Sequence, residues 1–234
     1  MYRVGVIIPA GGKGRRMGGQ LPKQFLPLFG IPVIQRTVAL FEAVRAVHEI
    51  VIAAPGEYVH HVRRLMRRAG FAKVSQVVAG GKERQDSVWK GLNAFERKPD
   101  IVLVHDAVRP LVEKWIITEV IRKSKKHKAA VVGVRVKDTV KVEQRRGYYA
   151  ETLQRDKLWT VQTPQGFHFD LLLRAHRAAK RSNFRGTDEG SLVERLRIPV
   201  RIVEGNYRNI KITTREDLAL AEFLLRIAKS ASSK

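Results

Sequence analysis

Hydrophobic and polar positions switch between two periods along this chain. Val4 to Ile8 is a short β-branched apolar run, which reads as a buried strand. Val33 to Val44 follows with helical spacing, placing Val33, Thr37, Leu40, Phe41 and Val44 on one side. Glu49 to Ala54 returns to a strand pattern. Glu57 to Ala69 reads as a basic amphipathic helix closed by Gly70, and Lys73 to Val78 as a third strand. The alternation continues through a helix from Glu83 to Phe95, a strand from Asp100 to His105, a helix from Trp115 to Lys126 and a strand from Ala129 to Val136. Repeated strand and helix in this order predict an α/β fold whose parallel sheet is covered on both faces.

After Val136 the pattern changes. Asp138 to Thr152 reads as a hairpin with little apolar surface, and two such strands need something to pack on in water. Leu158 to Phe167 reads as a tight core segment near the sheet edge, and Phe169 to Lys180 as a helix. Thr187 is placed to cap a helix whose first turn carries Asp188 and Glu189. Val200 to Glu204 and Asn209 to Thr213 read as short strands, and Thr214 as the cap of a helix from Arg215 to Lys229. Ile210 and Ile212 flank Lys211 and face away from it, leaving Lys211 free to point into a cleft.

Composition narrows the classes. A length of 234 residues suits one sizeable domain, taken as 1–234. Without cysteine there is neither a disulfide frame nor a thiolate zinc site. The chain passes directly into a strand without a signal peptide, and no apolar run reaches membrane-spanning length, which predicts a cytoplasmic protein with no membrane partner. The charge is the outlier: 45 Lys plus Arg against 22 Asp plus Glu gives +23. A nucleic-acid surface therefore has to be weighed, with a basic RNA-associated protein as the reading from another class. The cations are scattered along the chain, aromatics make up only 7%, and no zinc-finger, RNP or KH pattern occurs. A basic surface that draws in anionic substrates fits better.

The candidate chemistry begins where the first strand ends. Pro9-Ala10-Gly11-Gly12-Lys13-Gly14-Arg15-Arg16-Met17, with Pro22-Lys23-Gln24 beyond it, combines a tight glycine turn with four cations, the composition of an anion nest. It is not a Walker loop, and the dinucleotide fingerprint fails because its third glycine position is Met17. The second strand ends in Ala53-Ala54-Pro55, where a nicotinamide enzyme would need an acidic residue. Gly80-Gly81 repeats the glycine turn, and Ser87, one turn into the next helix, is placed to hydrogen-bond a base edge. Asp106 stands at the carboxyl end of a strand, where a carboxylate can hold Mg²⁺ against phosphate oxygens. A helix cap or a buried partner for Arg109 are its alternatives. His105 points to the opposite face as a core histidine, and the adjacent His60 and His61 diverge and make a poor metal site.

These residues also carry a resemblance. A-G-G-x-G-x-R-M with P-K-Q resembles the loop of sugar-nucleotide and alditol-phosphate nucleotidyltransferases. Val104-His-Asp-Ala-Val-Arg-Pro110, Thr163-Pro-Gln165 and Asn209-Ile-Lys-Ile-Thr213 narrow it to the 2-C-methyl-D-erythritol 4-phosphate cytidylyltransferase family, from about Val4 to Phe223. The resemblance implies a three-layer, Rossmann-like nucleotidyltransferase fold with a projecting β-hairpin arm, 138–156, that embraces a second subunit in a homodimer. It implies CTP and 2-C-methyl-D-erythritol 4-phosphate as substrates and Mg²⁺ as cofactor, held by Asp106. Arg16, Lys23 and Lys211 would be catalytic. Ala10, Gly11, Gly12, Gly14, Gly81, Ser87 and Ala107 would hold the nucleotide. Asp106, Arg109, Thr187 and, from the partner subunit's copy of the chain, Thr139 and Arg155 would bind the acceptor phosphate. Lys82 stands where some relatives have an acidic residue. A ribitol 5-phosphate cytidylyltransferase shares the loop and the chemistry, and a sugar-1-phosphate transferase is a more distant alternative.

Overall fold

Residues 2–11 and 21–232 are described by the computed structural model. In chain order they form β1 (Val4–Pro9), β2 (Pro27–Leu28), β3 (Ile31–Pro32), α1 (Val33–Glu42), β4 (Glu49–Ala54), α2 (Val59–Arg68), β5 (Val74–Ala79), α3 (Arg84–Leu92), β6 (Ile101–Val104), α4 (Lys114–His127), β7 (Ala129–Arg135), β8 (Lys141–Arg145), β9 (Tyr148–Thr152), β10 (Trp159–His168), α5 (Phe169–Arg181), α6 (Glu189–Glu194), β11 (Arg201–Glu204) and α7 (Arg215–Ser232). Among the described residues the main sheet has seven strands in the order β11-β7-β10-β6-β1-β4-β5. All run parallel except β10, which is antiparallel to both of its neighbours.

Burial follows the alternation of side chains across a strand. Val4, Val6 and Ile8 of β1 pack with Val38 and Phe41 of α1, Met66 of α2 and Ile116 of α4 on one face. Ile7 points the other way, to Val88 and Leu92 of α3, Leu172 of α5 and Leu192 of α6. Both faces are thus covered, so the parallel strands read as nearly continuous apolar runs. A smaller cluster of Leu28, Val33, Val108, Ile212 and Ala221 docks α7 beside the end of β6.

Three expectations change. The segment 158–167 is not near the edge: β10 lies inside the sheet between β6 and β7, with a register shift between Val161 and Gln165 around Pro164. A proline weighs against an interior strand unless the ladder is interrupted there, as it is here. Asn209 to Thr213 forms no strand; it is held through the Ile212 N–H, which donates to the Val108 carbonyl at 2.9 Å, and through the buried Asn209 side chain. The cap of α6 is Asp188, which accepts from the Ser191 N–H at 2.9 Å, and Thr187 lies outside the helix. A carboxylate is the better acceptor at that position, since it also meets the positive end of the helix.

The two buried histidines make acid stability testable. His105 and His176 are nearly inaccessible, and burial lowers each to about 4. Their folded values lie below the ordinary value near 6.5, so the unfolded chain takes up these protons first and stability falls as pH drops from about 6.5 to about 4. His176 Nε2 has no hydrogen-bond partner. His176→Phe is therefore expected to remove up to about 3 kcal/mol of this acid loss, read as a flatter dependence of urea midpoint on pH between 4 and 6.5. Identical slopes for the two proteins would show that His176 does not titrate in that window.

Candidate active site

The order β4-β1-β6 places the crossover reversal at β1, and in open α/β sheets ligands collect outside the carboxyl ends of strands at such a point. A cleft of about 530 Å³ opens there. Ala10, Gly11, Lys23, Gly81, Ser87, Asp106, Ala107 and Lys211 all line it, so eight positions singled out from the sequence converge. Gly12, Gly14 and Arg16 lie outside the described residues. Arg109 stands behind the lining, 9% exposed, while Thr187, Thr139 and Arg155 are exposed and do not line the cleft of this protomer.

Each wall has a local cause. The end of β1 is pinned by the Ala10 N–H to the Ala53 carbonyl at 2.7 Å and by the buried Gln24 Nε2 to the Ala10 carbonyl, also at 2.7 Å. Gln24 and Phe25 turn inward from a single 3-10 turn, which leaves Lys23 on the cleft side. Opposite it, Gly81 has no left-handed backbone angle; it must be glycine because a Cβ would collide with Asp86. Its N–H donates to Ser87 Oγ at 3.0 Å, and that hydroxyl donates to the Glu83 carbonyl at 3.1 Å. Ser87 therefore braces the turn that faces the cleft, and its proton is already engaged. Glu83 and Asp86 cap α3 reciprocally, and Arg185 holds Asp86 at 2.8 Å.

Asp106 is the electrostatic centre. It is 6% exposed, and its Oδ1 accepts from Arg84 Nε at 3.0 Å, while Oδ2 meets Lys211 Nζ at 2.9 Å and Arg109 Nε at 3.6 Å. These cations, Arg84 foremost, hold its carboxyl far below the usual carboxylate range despite burial. Arg109 is fixed by its own donation to the Asn209 carbonyl at 2.6 Å. Behind Asp106, Thr163 Oγ1 accepts from the Asp106 N–H at 3.1 Å and meets His105 Nδ1 at 3.0 Å, and His105 Nε2 meets the Arg109 carbonyl at 3.0 Å. His105 is thus a satisfied core histidine, as its position in the strand predicts. Lys211 reaches Asp106 because Asn209 is buried, donating to the Gln162 side chain and the Thr163 carbonyl, and because the isoleucines on either side turn into the α7 cluster.

Sequence reasoning missed Arg84 and Glu189. Arg84 binds Asp106 through Nε and Glu189 through Nη1, at 2.8 and 2.7 Å from its two oxygens. Glu189 is 1% exposed, and burial pushes its carboxyl up although Arg84 opposes the shift. The available signal was weak: an arginine in the first turn of a helix after a glycine turn, and a glutamate read as a helix-end charge. Among the described residues no group of three or more His, Cys, Asp or Glu is placed to hold a metal ion, and no helix is long and apolar enough to cross a membrane.

A mostly parallel doubly covered sheet, a glycine-walled cleft at its switch point and a set of cations gathered on a buried carboxylate define a nucleotidyltransferase. The model of the family 2-C-methyl-D-erythritol 4-phosphate cytidylyltransferase matches residues 4–227. A protein of that name from Symbiobacterium thermophilum is 50% identical over 222 residues, covering 95% of this chain and 92% of the relative, and one from Pelotomaculum thermopropionicum is 44% identical over 227 residues, covering 97% and 95%. Among solved structures, the 4-diphosphocytidyl-2C-methyl-D-erythritol synthase of Anaerococcus prevotii superposes with a TM-score of 0.84 at 28% identity, covering 96% of this chain and 99% of that one. The Thermus thermophilus cytidylyltransferase does so with 0.77 at 34% identity and the same coverages. The chain belongs to the 2-C-methyl-D-erythritol 4-phosphate cytidylyltransferase family.

Proposed function

We propose that the cleft described above is where this chain performs the family's reaction, in which CTP and 2-C-methyl-D-erythritol 4-phosphate give 4-diphosphocytidyl-2-C-methyl-D-erythritol and pyrophosphate in non-mevalonate isoprenoid precursor synthesis. The observation that carries the assignment to this cleft is the convergence of Lys23, Arg84, Asp106 and Lys211 on one cavity whose far wall is the Gly81 turn. A ribitol phosphate transferase and an RNA-associated protein are not favoured by the family match.

The chemistry follows from charge. A triphosphate with about four negative charges must be approached by a phosphate monoester carrying nearly two, and that nucleophile needs no general base because its second pKa is about 6. His105, lowered to about 4 and sealed in the core, is not required to move a proton. Catalysis then rests on alignment and on cations placed where charge develops. Lys23, and Arg16 beyond the described residues, take the triphosphate and the leaving pyrophosphate. Lys211, 41% exposed on a flexible stem, reaches the reacting α-phosphoryl group by rotating away from Asp106. Main-chain groups of Ala10, Gly11, Gly81 and Ala107, with Ser87 bracing the Gly81 turn, receive cytidine, together with Gly12 and Gly14 beyond the described residues. A main-chain contact of that kind tolerates Lys82 in place of an acidic side chain.

Asp106 is the residue that would hold Mg²⁺. A carboxylate in the cleft wall suits an ion that usually binds one or two carboxylates together with substrate phosphates, with Oδ2 released as Lys211 turns away from it. When bound, the ion supplies neutralisation of triphosphate charge. Arg109, behind Asp106, and Thr187, just before α6, are the residues of this protomer that would bind the acceptor phosphate. The cysteine-free composition agrees with work in the cytoplasm.

The partner subunit's copies of Thr139 and Arg155 complete the acceptor site in a homodimer. The arm supports this: every residue of β8 and β9 is exposed, including Val142, Tyr148 and Tyr149, with Lys141 and Arg145 stacked 4.3 Å over the two tyrosine rings. Val161, Ile202 and Tyr207 lie exposed on and beside the strands next to its base. Replacing residues 141–152 by a short turn is expected to convert the dimer to a monomer in sedimentation and to raise KM for the acceptor far more than for CTP. An intact protein that sediments as an active monomer would remove the arm's role.

The test of the function is pyrophosphate release from CTP against a panel of acceptor phosphates. Turnover with 2-C-methyl-D-erythritol 4-phosphate should exceed that with ribitol 5-phosphate by orders of magnitude, and the reverse ranking would overturn the assignment.

A further inference from the structure

Glu189 has no part in the scheme above, yet it is buried and charged, and its side chain points at one partner. The Arg84 guanidinium bridges two carboxylates, Asp106 through Nε at 3.0 Å and Glu189 through Nη1 at 2.7 to 2.8 Å. Arg84 stands in the first turn of α3, directly after the cytidine turn, whereas Glu189 opens α6, two residues after Thr187. Glu189 is itself held from behind. The Gln165 Oε1 accepts from the Glu189 and Gly190 N–H groups at 3.1 and 3.2 Å, and Gln165 Nε2 donates to the Asp188 cap at 2.7 Å. The brace therefore runs from β10 through α6 and Arg84 to Asp106, joining the acceptor side of the cleft to its nucleotide side.

We infer that Glu189 is a positioning residue for cytidylyl transfer, tethering Arg84 so that its guanidinium serves Asp106 and does not fold onto the nucleotide's phosphates. This rests on the proposed function. Three features support it. A carboxylate taken fully out of water for one partially exposed arginine is a poor way to gain stability, since an apolar pair of the same volume usually does as well. Arg84 lines the cleft, with a side chain 27% exposed, so a released guanidinium has room to turn into it. Its fork can satisfy both carboxylates at once, a geometry that lysine cannot reproduce.

The consequence is a split between binding and turnover. In Glu189→Gln the amide keeps the shape and loses the charge; Arg84 turns toward the triphosphate, holds the ground state and leaves Asp106. CTP affinity by calorimetry is expected to stay the same or tighten, while kcat falls about 10- to 100-fold. A purely structural role would weaken both together. In an Arg84→Ala background the same substitution should cost less than about twofold in kcat, because its effect passes through Arg84. Should Glu189→Gln fail to fold, Arg84→Lys keeps a cation near Asp106 without the fork and is expected to show the same split. Wild-type kcat in the glutamine variant, parallel losses in affinity and kcat, or additive effects in the double variant would each overturn the tether. The wild-type enzyme is assayed first with CTP and the methylerythritol phosphate. Failure there strikes the functional assignment, whereas the calorimetric comparison still reports on Arg84.

Discussion

Lys211→Met is expected to lower kcat by about 100- to 1,000-fold, the usual cost of removing one preorganised charge from a site where negative charge develops. Lys23→Met should behave alike. The melting temperature of either variant should stay close to that of the parent. Lys211 is 41% exposed, and Asp106 retains Arg84 and Arg109 when it is gone. The methionine keeps most of the apolar stem, so packing against the cleft wall is preserved. Stopped-turnover assays with thermal melts on the same samples check both halves. A Lys211→Met enzyme that retains a tenth or more of parental kcat would falsify the role given to this side chain.

Asp106→Asn is expected to act in the opposite way on two observables. Removing the buried anion leaves Arg84, Arg109 and Lys211 facing one another, and breaking a buried pair of this kind typically costs about 3–5 kcal/mol. In a chain of this length each kcal/mol shifts the melting temperature by about 2–4 °C, so a drop of roughly 6 °C or more is anticipated. The same excess of positive charge should tighten CTP binding measured without divalent cation, because the triphosphate then replaces the missing counter-charge. Turnover should nevertheless collapse, since the carboxylate that Lys211 meets in the cleft is lost. An asparagine variant that melts with the parent and binds CTP no more tightly would show that Asp106 is not what balances these cations. The depressed folded pKa of Asp106 has a related consequence. Its stabilising effect is fully present above the ordinary carboxylate value near 4 and is lost as pH falls toward the folded value, so it adds to the acid loss set by the two histidines.

Much of the architecture was legible because periodicity is a local property. β1, α1, β4, α2, β5, α4 and β7 lie within a residue or three of the spans that hydrophobic spacing alone predicts, since burial on one face dictates which positions must be apolar. The hairpin was legible for the converse reason, as a stretch with little apolar surface. β10 was misplaced because order within a sheet is set by how distant segments pair, and Pro164 argued locally against the interior position that a broken ladder allows. Asn209 to Thr213 was misread because an alternating pattern does not distinguish a strand from a non-ladder segment held by the buried Asn209 and Ile212 and the bonds they make.

The sequence by itself determined the α/β alternation, the glycine turns at strand ends, the excess of cations over histidines suited to joining two phosphates, and the family, because each is written in contiguous residues. Only the tertiary structure decided that Arg84 and Glu189, 105 residues apart, share one salt bridge, that Ser87 braces a turn, and that Arg109 stands behind the cleft. The physical reason is that a charge acquires its role from the partners and dielectric around it, and those are assembled by chain crossings that no local pattern encodes.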